Sequence, residues 1–220
     1  MAISGGVLST AVAIILLLTV LLWFTWGTQR NISRGNQLLG WLQGGLSGLG
    51  RRVTLKWLGS SAVELRIVEP REPFLEATVL VVLEPRDVPW FWGMARRRGR
   101  RDFLILRGRL KRSPRLELEA GDPSGWTGGD ALAKLDEEAW RADDWGHPGL
   151  RVLHAPGSDP GRIRPLFDRL SGASGGVWRL SVRREPPHLE VHVLPPDIER
   201  ADAKPLIGAF AELARVALAG

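Results

Sequence analysis

Val7-Leu-Ser-Thr-Ala-Val-Ala-Ile-Ile-Leu-Leu-Leu-Thr-Val-Leu-Leu-Trp-Phe-Thr-Trp26 runs for twenty residues without a charged side chain. As a helix rising about 1.5 Å per residue, it makes a rod of roughly 30 Å, the thickness of a bilayer's hydrocarbon core. A core helix of a soluble protein seldom needs so long an apolar run. A cleaved signal peptide has a basic leader, a shorter apolar stretch and a small-x-small cleavage site. Met1 to Gly6 carries no charged side chain, and the run closes on Trp23, Phe24 and Trp26 with no Ala-x-Ala after it. Aromatic rings at that end suit the interfacial belt of a span. The expectation is therefore a short extracytoplasmic N-terminus (residues 1–6) and an uncleaved, single-pass transmembrane helix over residues 7–27.

Charge sets the expected orientation. No Lys or Arg precedes the span, whereas Arg30, Arg34, Arg51 and Arg52 follow it. The positive-inside tendency places the N-terminus outside and the rest of the chain in the cytoplasm, a prokaryotic cell membrane being the expected setting. The chain has no cysteine, which removes thiol chemistry and Cys-based zinc sites and agrees with a compartment where disulfides are rare. The remaining residues suffice for one sizeable core or two small subdomains, and 44% apolar content is ordinary for a globular fold.

The basic character is local. Between Arg86 and Arg115 stand eleven basic side chains against Asp87 and Asp102, whereas the whole chain carries only +6. Within that stretch, Pro89-Trp-Phe-Trp-Gly-Met-Ala-Arg-Arg-Arg-Gly-Arg-Arg101 puts three aromatics beside five arginines. Rings at a lipid headgroup layer, with guanidinium groups meeting anionic lipid at about 1 kcal/mol each, describe a membrane-interface loop spanning residues 86–101. Its candidate residues are Trp90, Phe91, Trp92, Arg96, Arg97, Arg98, Arg100 and Arg101, joined by Trp23 and Trp26 of the span. Arginines and aromatics also bind nucleic-acid phosphates and bases, but no RNP, helix-turn-helix or zinc-finger pattern accompanies them. The bland alternative is a solvated hairpin tip.

Elsewhere periodicity reads as an α+β body. Residues 28–50 form a juxtamembrane linker or an interfacial helix, with Leu38, Leu39, Trp41, Leu42, Leu46 and Leu49 at roughly helical spacing. Gly40, Gly44 and Gly48 recur at an interval that permits close helix contact. Alternation predicts strands at Val53–Trp57 and Val63–Ile67, and a doubly apolar strand within Leu75–Leu83. Further strands are expected at Phe103–Leu106 and Leu116–Glu119, completing an antiparallel sheet of about five strands in a mainly-β subdomain (residues 51–145). Asp130 is expected to cap a helix reaching about Arg141. A second subdomain (residues 146–220) has strands near Leu150–Leu153, Trp178–Val182 and Leu189–Val193. Its helices start at Asp159-Pro160 and near Asp202, and helices on one side of the sheet are expected. The fold class is thus α+β: one transmembrane helix, then mainly antiparallel strands with about three helices. Asp-Pro before a helix occurs twice, which admits duplication.

Other clusters promise less chemistry. In His188-Leu-Glu-Val-His192 the histidines share a strand face about 13 Å apart, too far for a zinc whose ligands sit about 2 Å away. A four-residue loop from Arg184 to Pro187 would pair Arg183 with His188 and Ser181 with Glu190, making a solvated, charge-paired sheet face. Asp136, Glu137, Glu138, Asp143 and Asp144 with His147 form an acidic cluster able in principle to do acid–base work. Gly121–Gly129 lacks the phosphate-loop Lys-Ser/Thr, and no Gly-x-Ser-x-Gly elbow marks a nucleophile. The expected function is a membrane-anchored cytoplasmic accessory or scaffold domain without cofactor or metal. Its expected partners are the lipid bilayer, anionic lipid headgroups and a membrane protein. The alternatives are a membrane-anchored hydrolase or transferase using Asp143, Asp144 and His147, and a nucleic-acid-binding membrane tether.

Overall fold

A computed structural model describes residues 5–125, 127–135 and 139–219. Its first element, α1 (Gly5–Leu46), is a single unbroken helix, so the expected span and connector are one rod. Their surroundings differ. From Ser9 to Leu22 every side chain is exposed, Leu22 to 71% and Ile15 to 62%. From Gly27 onward one stripe is buried: Gly27, Asn31, Gly35, Leu38, Leu42 and Gly45, at three- and four-residue steps, continued by Leu49 just past the helix. α1 is the one described helix long and apolar enough to cross a membrane. Its upper half is apolar all round and uncovered, and its lower half is an amphipathic helix with a core-facing seam.

The body behind that seam is a nine-stranded sheet, every neighbouring pair antiparallel, of order β1-β2-β3-β4-β9-β8-β5-β7-β6. The strands are β1 (Gly50–Trp57), β2 (Ala62–Pro70), β3 (Phe74–Val82), β4 (Phe103–Leu110), β5 (Leu118–Gly121), β6 (Arg141–Asp143), β7 (Arg151–His154), β8 (Val177–Val182) and β9 (Leu189–Val193). Register aligns Leu65, Val79, Leu106, Val191, Leu180, Ala120 and Val152 in one row across seven strands. All are buried. The lower half of α1, α4 (Arg164–Gly172) and α5 (Lys204–Ala219) close over this face in one core. Phe210 of α5 stacks on Phe74 at 5.5 Å over Gly108, where a Cβ would stand 2.7 Å from the Phe74 ring.

Several expectations change. The fifth strand of the first unit, β5, lies between β8 and β7 rather than beside β4. Strands from both sides of residue 145 therefore share one sheet. The helix expected from Asp130 to Arg141 is only the short α3 (Gly128–Leu132), and Arg141–Asp143 is an edge strand on β7. A short isolated helix is marginal by itself, and the edge pairing takes the chain instead. The arginine-rich loop contains α2 (Pro89–Arg97). Proline at its first position, Arg96 and Arg97 in its last turn against the dipole, and Gly99 at φ 79° just beyond are start and stop signals. Among the described residues four helices thus follow α1, besides a 3-10 turn at Pro160–Arg162, where Asp159 accepts from the Gly161 N–H at 3.1 Å.

The close helix contacts also fall on other glycines. Gly40 and Gly44 are exposed, with nothing near a Gly40 Cβ. A Cβ on Gly27 would lie 2.2 Å from the Arg86 carbonyl oxygen, and one on Gly35 would lie 2.6 Å from the Trp57 ring. Gly27→Ala is accordingly expected to destabilise the full chain in detergent micelles by about 1–3 kcal/mol, through overpacking. Gly40→Ala should stabilise it by up to about 1 kcal/mol, through helix propensity. Denaturant unfolding followed by circular dichroism reads both. Equal effects of the two would contradict a seam on the Gly27 face.

Candidate membrane-interface site

Trp23 is the first side chain of α1 to be partly covered after the bare stretch, and the cover is the connection between β3 and β4. Its indole N–H donates to the Arg86 carbonyl at 3.0 Å, one turn above the Gly27–Arg86 contact. Its ring meets Trp26 edge-on at 5.5 Å and Trp92 of α2 at 6.3 Å. The Trp92 indole in turn donates to Glu84 Oε2 at 2.5 Å. Three of the aromatics picked out in sequence therefore converge where α1 passes from bare to buried, and α2 is held beside that level.

A polar knot underlies them. Asn31 is fully buried in the helix seam. Its amide donates to the Glu84 carbonyl at 3.0 Å and the Ser61 hydroxyl at 3.2 Å, and its oxygen accepts from Arg86 at 3.0 Å. Arg86 holds Asp102 bidentately, both bonds 3.0 Å, and Asp102 also accepts the Glu84 backbone N–H at 2.8 Å. Such forked, charge-assisted bonds are among the strongest a protein makes. Removing one partner strands a buried charge. The knot ties α1, the β2 start, the β3 end and the β4 start into one unit.

The predicted arginines have separate surroundings. Arg96 sits 5.6 Å from the Trp92 ring and 3.6 Å from Glu84. Arg100 is partly buried, and burial pulls its pKa below the usual value against the opposing charges of Glu84 and Asp102. Arg101 turns back to the Arg96 carbonyl at 3.1 Å, capping α2. Arg97 and Arg98 are exposed and make no ion pair among the described residues. On the outer side of α2, Trp90 (67% exposed), Phe91 and Met94 form an uncovered apolar strip beside the bare helix. Sequence reasoning missed Asn31, Glu84, Arg86 and Asp102 as site residues. They come from three separate segments, and only the lone Asn in a heptad-like apolar stripe offered a signal.

A second charged constellation lies on the sheet face opposite the core. The expected pairing of Ser181 with Glu190 is present, and the Arg183 N–H reaches the His188 carbonyl at 2.8 Å. The face is charge-paired but not solvated: Glu119 is fully buried, and His188, Glu190 and His192 are nearly so. Long Arg side chains cover them. Arg107 and Arg179 each bond Glu190 at 2.6 Å, while Arg179 and Arg183 each bond Glu119 at 2.6 Å. His192 adds a 2.8 Å bond to Glu190. Burial alone would raise the Glu190 carboxyl, but the His192 bond and the charges of His192, Arg107 and Arg179 outweigh it and hold it at about 2.

Of the acidic cluster, Asp136, Glu137 and Glu138 lie outside the described residues. Asp143 and Asp144 are exposed and serve turns: Asp143 accepts from the Trp145 indole at 3.0 Å, and Asp144 accepts the Gly146 N–H at 2.7 Å. His147 pairs with Asp168 at 2.8 Å, away from either carboxylate's hydrogen bonds. No family model matches the chain, and no match is found among curated proteins.

The depressed Glu190 pKa carries a stability consequence. Its contribution is complete above the unfolded carboxylate value near 4.3 and disappears as pH falls through about 2. Wild type should therefore lose on the order of 3 kcal/mol over that acid window from this group. Glu190→Gln should be less stable at neutral pH and lack that part of the acid limb. Unfolding free energies of both chains across the window check it; parallel curves would refute the ion-pair account.

Proposed function

We propose that this chain is a single-pass membrane protein whose α+β body is an accessory or scaffold domain held against the cytoplasmic face. In this reading the upper half of α1 crosses the bilayer with its N-terminus outside. Trp23, Trp26, Trp90 and Phe91 sit at the interface, and Arg97 and Arg98 face anionic headgroups. The body, fixed by one rigid helix rather than a hinge, offers its remaining surface to a membrane protein partner.

One observation carries the proposal. The level at which α1 changes from uncovered to buried is the level at which α2 presents Trp90, Phe91 and Met94 outward. An apolar surface of that extent marks an interaction surface, and two separate elements end their apolar exposure together. A helix that is apolar all round finds its solvent in lipid, and the aromatic strip is what an interfacial helix places at headgroup depth. The charge asymmetry around α1 supports the orientation.

The absence of native cysteine permits a direct depth measurement. The full chain carrying Met94→Cys or Glu185→Cys is labelled with a nitroxide and reconstituted into phosphatidylcholine–phosphatidylglycerol vesicles. Met94 lies on the outer strip of α2, and Glu185 lies on the β8–β9 turn at the opposite end of the strands. The Met94 label should collide more often with oxygen than with a water-soluble nickel chelate, and the Glu185 label should do the reverse. Equal aqueous accessibility at both sites would refute interfacial docking.

A further inference from the structure

Between α1 and α2 lies a cleft of about 700 Å³, lined on one side by Trp26, Arg30 and Arg34 and on the other by Trp92 and Arg96, with Glu84, Arg86 and Asp102 at its base. We infer that it binds the phosphate of an anionic phospholipid headgroup, with Arg30 and Arg34 as principal donors and Arg96 closing the opposite side. The inference rests on the membrane reading above and names the ligand of that same junction.

Charge accounting inside the cleft supports an anion. Four guanidinium groups face two carboxylates. Arg86 is committed to Asp102 through two bonds and to Asn31 through a third. Both Asp102 oxygens are engaged by that fork, so Arg34, with Nε 3.5 Å from Asp102 Oδ2, keeps an ion pair at the margin of hydrogen bonding. Its other contact among the described residues is a 3.4 Å bond to Gln37 Oε1. Glu84 is shared among the Trp92 indole, Arg96 at 3.6 Å and Arg86 at 3.8 Å. Arg30 has no carboxylate partner among the described residues, and its guanidinium lies 5.6 Å from the Trp26 ring centroid. Forked N–H groups thus remain directed into the space, and they match phosphate oxygens two at a time.

Depth and shape narrow the anion. Trp26 ends the bare stretch, Arg30 lies one turn or about 6 Å further along the axis, and Arg34 lies about 12 Å along. The headgroup region adds several Å beyond the roughly 30 Å hydrocarbon core, so Arg30 falls at phosphate depth when Trp26 is at the interface, and Arg34, whose side chain leaves the helix toward its N-terminus, approaches that depth from the water side. Indoles on both walls suit a ligand with a charged head and an apolar continuation toward the bilayer. The volume lies within the range of small-ligand sites, about 300–1,000 Å³. A free phosphate shares the head chemistry, and the experiment separates the two sources.

The full chain is taken into nanodiscs of phosphatidylcholine with a minority of phosphatidylglycerol, and lipids retained on release are counted by native mass spectrometry. Wild type should keep one phosphatidylglycerol. Arg30→Gln/Arg34→Gln should reduce its occupancy at least about ten-fold, and Arg97→Gln/Arg98→Gln should keep it. Arg30→Gln alone should also lower occupancy, and this exposed side chain makes no hydrogen bond among the described residues, so its loss leaves the fold intact. Equal retention across all variants, or retention of phosphatidylcholine as readily as phosphatidylglycerol, would overturn the inference. Displacement of the lipid by millimolar inorganic phosphate would overturn the lipid as occupant. The Met94 depth label is read in the same preparations. No retained lipid with Met94 at lipid depth refutes the cleft and leaves the interface reading standing, whereas an aqueous Met94 refutes both.

Discussion

The structure depends on the seam along the lower half of α1. From Gly27 to Leu46 this helix contributes its buried stripe to the same core as the sheet and α5. The Trp41 indole secures it to the Ala201 carbonyl at 2.9 Å, and Gly45 lets it approach the Ala203 backbone. Because the helix does not break between Leu22 and Leu38, the orientation of the body relative to the bare upper half is set by core packing. Gly27 is the tightest point: only a residue without a side chain admits the Arg86 backbone there.

Two polar assemblies complement that seam in different ways. The knot of Asn31, Arg86, Asp102 and Glu84 is small and directional, and it fixes the rotation of α1 against the strand ends. An apolar stripe alone would tolerate neighbouring rotations, whereas a buried amide with three partners does not. The Arg107–Glu190–Arg179–Glu119–Arg183 chain instead runs across β4, β9, β8 and β5. It covers the middle of the sheet face opposite α1, α4 and α5, beside the short α3 over Gly121, with the arginine stems supplying apolar cover. Both use Arg because its fork bonds two acceptors at once.

Much of the architecture was legible in the residues. The uncharged run before Gly27 and the alternation in Val63–Ile67 and Leu189–Val193 translated directly into the bare helix, β2 and β9, since each depends on local periodicity. The hairpin pairing of Ser181 with Glu190 followed from matching faces across a short loop. Elements set by distant partners were not legible. β6 has three residues and exists because β7 pairs with it. β5 lies beside β8 because of long-range register. Helix α2 was hidden by its arginines, although Pro89 and Gly99 marked its limits. The site was half visible: its aromatics and arginines stood out as a run, while Asn31, Glu84 and Asp102 became partners only through tertiary convergence. Glu190 looked solvated because its neighbours were charged, yet those neighbours are what bury it.

The central claim is that the bare half of α1 resides in lipid as part of the mature chain and carries the body with it. Alkaline carbonate extraction of isolated membranes, followed by intact-mass measurement of both fractions, tests it most directly. The account predicts the chain in the pellet with the residues before Gly27 still attached. Recovery in the supernatant, with a mass lacking the residues before Gly27, would contradict it.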